Sequence, residues 1–215
     1  MKKIVCFALL LCIITLGVFS QNGTIRELTG EVELKPAGAS AFSPARAGSV
    51  VAQNTIVSTG FRSTAVIEVG SSVITVQPLT RLSLSEIQSS SGIENIQMNL
   101  QAGRIRVDVH APAGSKTNFS VQSPSATASV RGTSFEMDTL NLNVLTGDVA
   151  FLNNIGLGMM VSGGLESSVG NDGNIIDPFI IAKEALVPSP PLGTEVTGGA
   201  IPPATGGEFL IEIQY

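Results

Sequence analysis

The sequence predicts an all-β fold: a sandwich, roll or short solenoid of many short strands, followed by a tail rich in proline and glycine. Three observations predict it. Several runs alternate apolar and polar residues with the period of a strand that buries one face. Turn signals separate these runs about every ten residues. The composition joins 13% charged and 43% hydrophobic residues to 23 glycines, which suits tightly turned strands better than long solvated helices. Alternation alone leaves the choice between sandwich and solenoid open, because both satisfy it.

The first element is expected to be a signal peptide over residues 1–20. Met1-Lys2-Lys3 precedes a largely apolar run from Ile4 to Phe19. As a helix that run would reach roughly 24 Å, short of the ~30 Å hydrocarbon core. Val18-Phe19-Ser20 suits cleavage before Gln21. Both cysteines, Cys6 and Cys12, fall inside this segment, so the exported remainder is expected to hold no thiol, disulfide or Cys-ligated metal. A lipoprotein site at Cys12 would need a small residue where Leu11 stands. Without Lys2 and Lys3, 10 basic residues face 17 acidic ones, a net charge of about −7. That balance disfavours duplex DNA and anionic lipid as partners.

Residues 21–187 are expected to form the β domain. Leu82-Ser83-Leu84-Ser85, Ile96-Gln97-Met98-Asn99-Leu100 and Leu140-Asn141-Leu142-Asn143-Val144 alternate cleanly. In the run from Arg104 to His110, Ile105, Val107 and Val109 share one face, while Arg104, Arg106, Asp108 and His110 share a polar, wet one. Turn signals lie at Val69-Gly70-Ser71-Ser72, Ser91-Gly92, Ala102-Gly103, Pro112-Ala113-Gly114, Thr146-Gly147-Asp148 and Asn171-Asp172-Gly173-Asn174. A short helix is expected over Ile180–Leu186, before Pro188. Residues 188–207 hold five prolines and five glycines and read as a linker or tail. Residues 208–215 read as a terminal strand with Phe209, Ile211, Ile213 and Tyr215 on one face. The alternative for that terminus, an assembly signal of an outer-membrane barrel, would require many long lipid-facing strands that the sequence lacks.

One stretch carries more information than the rest. From Ala126 to Val130 the apolar residues occupy even positions, whereas Phe135 and Met137 occupy odd ones. The shift implies a bulge or sharp bend near Gly132, where glycine tolerates the backbone angles required. Arg131 beside the bend is expected to turn inward and bond carbonyls left unpaired there.

These residues resemble a known family. Val130-Arg131-Gly132-Thr133-Ser134-Phe135, followed by a strand and then Val144-Leu145-Thr146-Gly147-Asp148-Val149, is similar to the signature half of the FecR domain. Gly30-Glu31-Val32 resembles its opening strand. Gly48 to Gly60, Ala65 to Ser71 and Leu100 to Ile105 follow its order of strands and turns, so the resemblance covers roughly residues 24–152. It implies structural motif positions at Val130, Arg131, Gly132, Thr133, Phe135 and Gly147. The regulators of that family join a cytoplasmic sigma-factor-binding segment, a membrane helix and periplasmic domains. Three residues before the apolar run are too few to hold a sigma factor, so the resemblance implies the extracytoplasmic module alone.

Catalytic chemistry is not expected, and neither is a cofactor or a metal. His110 is the single histidine and ends an exposed face, so a solvated side chain is expected there rather than a general base. Glu136 and Asp138 share a strand face, but two carboxylates fall short of the six to eight oxygens that calcium takes. No phosphate-binding loop, nucleophile elbow or zinc-protease helix occurs. The expected function is a non-catalytic protein-binding or signal-sensing module of the bacterial cell envelope, exported and periplasmic or envelope-associated. Its partner would be an extracytoplasmic protein held by β-strand addition, with no nucleic acid and no membrane span after cleavage. Two alternatives stand beside it. One is an anti-sigma, transmembrane signalling component if residues 4–19 remain as an anchor. The other is a structural envelope protein in contact with the cell wall.

Overall fold

The computed structural model describes residues 22–90, 92–110 and 116–186. The expected signal peptide, the tail from Pro188 and the strand Phe209–Tyr215 lie outside the described residues. Among the described residues 17 strands form two sheets, and one short helix follows them. None of their helices is long and apolar enough to cross a membrane.

The chain passes back and forth between the sheets while advancing along one axis. It enters the eight-stranded sheet as β1 (Gly23–Thr29), crosses to the nine-stranded sheet for β2 (Val32–Lys35) and β3 (Ser43–Pro44), returns for β4 (Val50–Val51) and crosses again for β5 (Ile56–Thr59). β6 (Thr64–Val69) and β7 (Ser72–Val76) form a hairpin in the eight-stranded sheet, and β8 (Arg81–Ser90) and β9 (Ile93–Ala102) form one in the nine-stranded sheet. A single strand, β10 (Arg104–Asp108), sits in the eight-stranded sheet. Then come β11 (Lys116–Gln122) with β12 (Ala126–Val130), β13 (Ser134–Asp138) with β14 (Asn141–Thr146), and β15 (Asp148–Asn153) with β16 (Gly158–Ser162), in alternate sheets. β17 (Glu166–Ser168) closes the series.

The spatial orders are β17-β14-β13-β10-β7-β6-β1-β4 and β16-β15-β12-β11-β9-β8-β5-β2-β3. Strand pairs are antiparallel except for β9 with β11, which run parallel. The two expected architectures therefore merge. The sheets face each other as in a sandwich, and chain order follows the long axis as in a solenoid.

Alternation places the core as expected. Ile96, Met98 and Leu100 of β9, Ile105 and Val107 of β10, and Leu142 and Val144 of β14 all point inward and are buried. They join a continuous apolar layer that runs from Ile25 to Val161 and includes Phe119, Phe135 and Phe151. Leu140 departs from the pattern: it lies in the turn before β14 and is exposed. The helix α1 (Pro178–Leu186) begins two residues earlier than expected. Asp177 caps it by accepting the Phe179 N–H at 2.8 Å, and Pro178 fits the first helical position because its missing donor is not needed there.

The crossings between sheets share one device. From Leu100 to Ile105, Val130 to Phe135 and Val144 to Val149, consecutive buried apolar residues stand five positions apart, and a glycine with positive φ lies between them. A fully extended ribbon keeps one set of alternate residues inward, so an odd step requires one residue that is not extended. Gly103 (φ 84°), Gly132 (φ 76°) and Gly147 (φ 80°) supply it. The expected bend at Gly132 is thus a passage from β12 in one sheet to β13 in the other.

Buried hydroxyls and backbone groups stitch neighbouring crossings together. At one end of the sandwich Ser63 Oγ accepts the Glu31 N–H at 2.8 Å, and Thr80 Oγ1 accepts the Arg104 N–H at 3.0 Å. Gly60 N–H donates to Glu31 O at 2.8 Å and Leu79 N–H to Gly60 O at 3.2 Å. At the other end Val109 N–H donates to Thr133 O at 2.9 Å and Gly163 N–H to Gly147 O at 2.7 Å.

These packed corners predict an ordered pair of effects. A Cβ at Gly103 would collide with Thr80 Oγ1 and stand 2.5 Å from its Cα, whereas a Cβ at Gly132 meets open space. Gly132→Ala is expected to cost about 1 kcal/mol, from left-handed backbone alone. Gly103→Ala should cost about 3 kcal/mol, because overpacking adds to that strain. Thermal unfolding of the two variants checks the order, and equal losses would refute the packed corner.

Candidate functional site

The inner faces of both sheets are filled with core, so the surfaces left for recognition are the outer faces, the strand edges and the turns. A groove of about 700 Å³ lies on the outer face of the nine-stranded sheet. It arises because outward residues fall into rows across the strands. One row runs Gln97, Ser120, Ser129, Ala150, Met160 through β9, β11, β12, β15 and β16, by the pairings Gln97 with Ser120, Ser120 with Ser129, Ser129 with Ala150, and Ala150 with Met160. Its middle members are small, so they make a floor between larger neighbours. Asn95 and Asn118 stand on one side, with the Asn118 amide donating to Asn95 Oδ1 at 2.8 Å. Arg131 and Asp148 line the same groove.

Five of the six motif positions converge at this groove: Val130, Arg131, Gly132, Thr133 and Gly147 all line it. Phe135 lies beyond the crossing, buried in the core of the opposite sheet. The expected inward role of Arg131 is not what the structure contains. Arg131 is exposed, and among the described residues it makes no hydrogen bond or ion pair. The corner is a crossing rather than a bulge, and Val109 N–H already takes the Thr133 carbonyl, so the guanidinium is left over the groove. Its neighbour Asp148 accepts from Ser162 Oγ at 2.7 Å. Thr133 is buried, and its Oγ1 has no partner among the described residues. Its methyl packs where a side chain at Gly147 would otherwise stand.

Alternation foretold which residues of β9 face outward, but not that Asn95 and Gln97 would stand beside Asn118 and Ser120. That neighbourhood rests on the parallel pairing of β9 with β11, strands joined through β10 in the other sheet. No local signal in the sequence announces it.

The outer face of the eight-stranded sheet is charged and self-neutralising. Arg104 pairs with Asp138 at 3.0 Å, and Arg106 reaches Asp108 and Glu136 at 3.6 Å each. Glu136 and Asp138, weighed above as cation contacts, are thus occupied by arginines. No cluster of three or more His, Cys, Asp or Glu that could hold a metal occurs among the described residues. His110 is exposed, and its carbonyl accepts from Ser71 Oγ. Burial by itself would raise the Asp138 pKa, but hydrogen bonds from the Leu140 N–H, the Asn141 amide and N–H, and Arg104 outweigh it and hold the carboxyl below its ordinary value.

Three outcomes follow from these environments. Arg131→Ala is expected to leave the melting temperature unchanged, and Thr133→Val to raise stability by ~1 kcal/mol because it removes a buried unpaired hydroxyl at constant shape; thermal melts of both variants check this. The lowered Asp138 pKa contributes stability that is present above the unfolded carboxyl value of about 3.9 and is lost as pH falls through the folded value. Asp138→Asn should therefore lose less stability than the parent between pH 4 and more acidic conditions, as read from urea midpoints across that window.

Residues 55–150 match the FecR protein family. The matched span begins at Thr55, so it does not include Gly30-Glu31-Val32. Two crystal structures of a protein of Parabacteroides distasonis ATCC 8503, assigned as an anti-sigma factor, are similar in fold. One, at 1.65 Å, shares 18% identity with a TM-score of 0.46 over 60% of this chain and 64% of that one; the other, at 2.50 Å, shares 19% with a TM-score of 0.46 over 59% and 62%. This chain thus spans less than two thirds of the length of those structures. No curated protein matches the sequence. The span that is similar to the FecR protein family thus runs from β5 into β15 and includes the glycine crossings at Gly103, Gly132 and Gly147.

Proposed function

We propose that the chain is an exported, non-catalytic FecR module of the bacterial envelope that takes up an extended segment of an extracytoplasmic protein along β16, as part of a signalling assembly. The observation that carries this reading is the contrast among the four sheet edges. β3 and β4 are two residues long, and β3 contains Pro44. β17 is three residues long and has α1 packed on it. Short length, proline and a covering helix each blunt an edge against pairing. β16 has five residues, Gly158-Met159-Met160-Val161-Ser162, with neither charge nor proline. It pairs with β15 on one side, and among the described residues nothing pairs with the other. An added strand would continue the sheet through main-chain hydrogen bonds. Met160, at the end of the groove, and the row behind it would then contact the partner's outward side chains.

The test is capture from envelope extracts with the purified protein, followed by hydrogen exchange on the complex. Binding should slow backbone exchange across residues 158–162. Met160→Lys, which places a charge on the edge, should lower recovery of the same partner about tenfold, equivalent to ~1.4 kcal/mol. A partner that binds this variant as well as the parent, or leaves exchange in β16 unchanged, would overturn the reading.

A further inference from the structure

The two faces of β16 state what a strand added beside it must look like. Met159 pairs with buried Phe151 and Val161 with buried Val149, on the core side, while Met160 pairs with Ala150 on the outer side. Val161 is fully buried but Met159 only partly, so the apolar layer is still open beyond this strand among the described residues. A strand that completed it would carry apolar residues at alternate positions toward the core and mainly polar ones outward, as β9 and β11 do in the same sheet. It would run for five residues or more, to match β16, and hold no proline.

Residues 209–215, which lie outside the described residues, have this composition. Phe209, Ile211, Ile213 and Tyr215 alternate with Leu210, Glu212 and Gln214, and the apolar set is of the aromatic and β-branched types that suit strands. The described chain reaches Leu186 at the end of α1, which packs on β17. β17 and β16 end their sheets on the same side of the sandwich. Residues 187–207 would span roughly 70 Å if fully extended, far more than the ~10 Å between facing sheets. The other edges do not suit a seven-residue strand: β3 and β4 have two residues each, and β17 lies under α1.

We propose that residues 209–215 add to the nine-stranded sheet along β16 and compete there with the partner's segment. Phe209, Ile211, Ile213 and Tyr215 face the core in this arrangement, and Leu210, Glu212 and Gln214 continue the outer face beside Met160. The inference rests on β16 being an edge for strand addition and supplies the regulation of that edge. A segment tethered this closely acts at an effective concentration in the millimolar range, so even weak pairing holds it in place. A partner's apparent affinity is then reduced by the fraction of molecules whose edge is free.

The test is hydrogen exchange on residues 21–215, which contain the whole core from Ile25 to Val161, with no partner added. The N–H groups of residues 158–162 that point away from β15 should exchange about tenfold more slowly in the parent than in the double variant Ile211→Asp with Ile213→Asp, which places charges on the core-facing side of the segment. Exchange in β11 should be the same in both, because neither substitution touches the described core. A synthetic peptide of residues 208–215, at millimolar concentration, should restore slow exchange across 158–162 in the double variant. In capture from envelope extracts the double variant should recover about tenfold more partner than the parent. A partner that displaces the segment binds more tightly and slows exchange further, so the two occupants differ in degree. Equal exchange of 158–162 in parent and variant, no effect of the peptide on the variant, or equal recovery of partner would each overturn the competition. Strand addition by an external protein fails separately, by the behaviour of Met160→Lys in capture.

Discussion

Everything in this fold depends on how the backbone passes between two facing sheets. A crossing breaks the ladder on one side before the next ladder begins, and the groups released there are close to an apolar core. Unpaired, each would cost on the order of 1–3 kcal/mol. The protein resolves this by stacking crossings on each other, so that the carbonyl of one corner accepts the N–H of the next, and by letting Ser63, Thr59 and Thr80 hydroxyls complete the pattern. Close stacking then dictates composition. Gly103, Gly147 and Gly30 are glycines because a hydroxyl-bearing neighbour, Thr80, Thr133 or Ser63, occupies the space a side chain would need.

This scheme also explains where recognition can occur. Both inner faces are consumed by the core, and the progressive order of strands leaves each sheet with two edges. At the amino-terminal end those edges are very short. At the other end the eight-stranded sheet is covered by α1, and among the described residues no strand pairs with the outer side of β16. The motif residues of the Arg131-Gly132-Thr133 corner line the groove that ends at this strand. The stretch from Val130 to Phe135 is thus mainly a crossing between sheets, with one side chain, Arg131, released by that crossing to the surface.

Runs such as Ile96 to Leu100 and Ile105 to Val109 were legible because burial of one face imposes a period of two, whatever the strands pair with. The bend at Gly132 was legible for the same reason, since a change of parity is visible without knowing what lies on either side. Arg131 was misread because its orientation depends on whether the corner is a bulge within one sheet or a passage between two, and in the second case Val109 already satisfies the carbonyl. Leu140 was misread because the alternating run continues one residue into a turn.

By itself the sequence determined the all-β character, the inward and outward residues of most strands, and the place of the Gly132 corner. All of these are properties of consecutive residues. Tertiary structure decided the parallel contact of β9 with β11, the rows that make the groove, the place of β16 at the end of its sheet among the described residues, and the gathering of Phe61, Leu79, Leu140, Ile155 and Leu157 at one end. Those features join residues from separate strands and turns. Their closeness is set by which hairpin packs beside which, and no local periodicity encodes that.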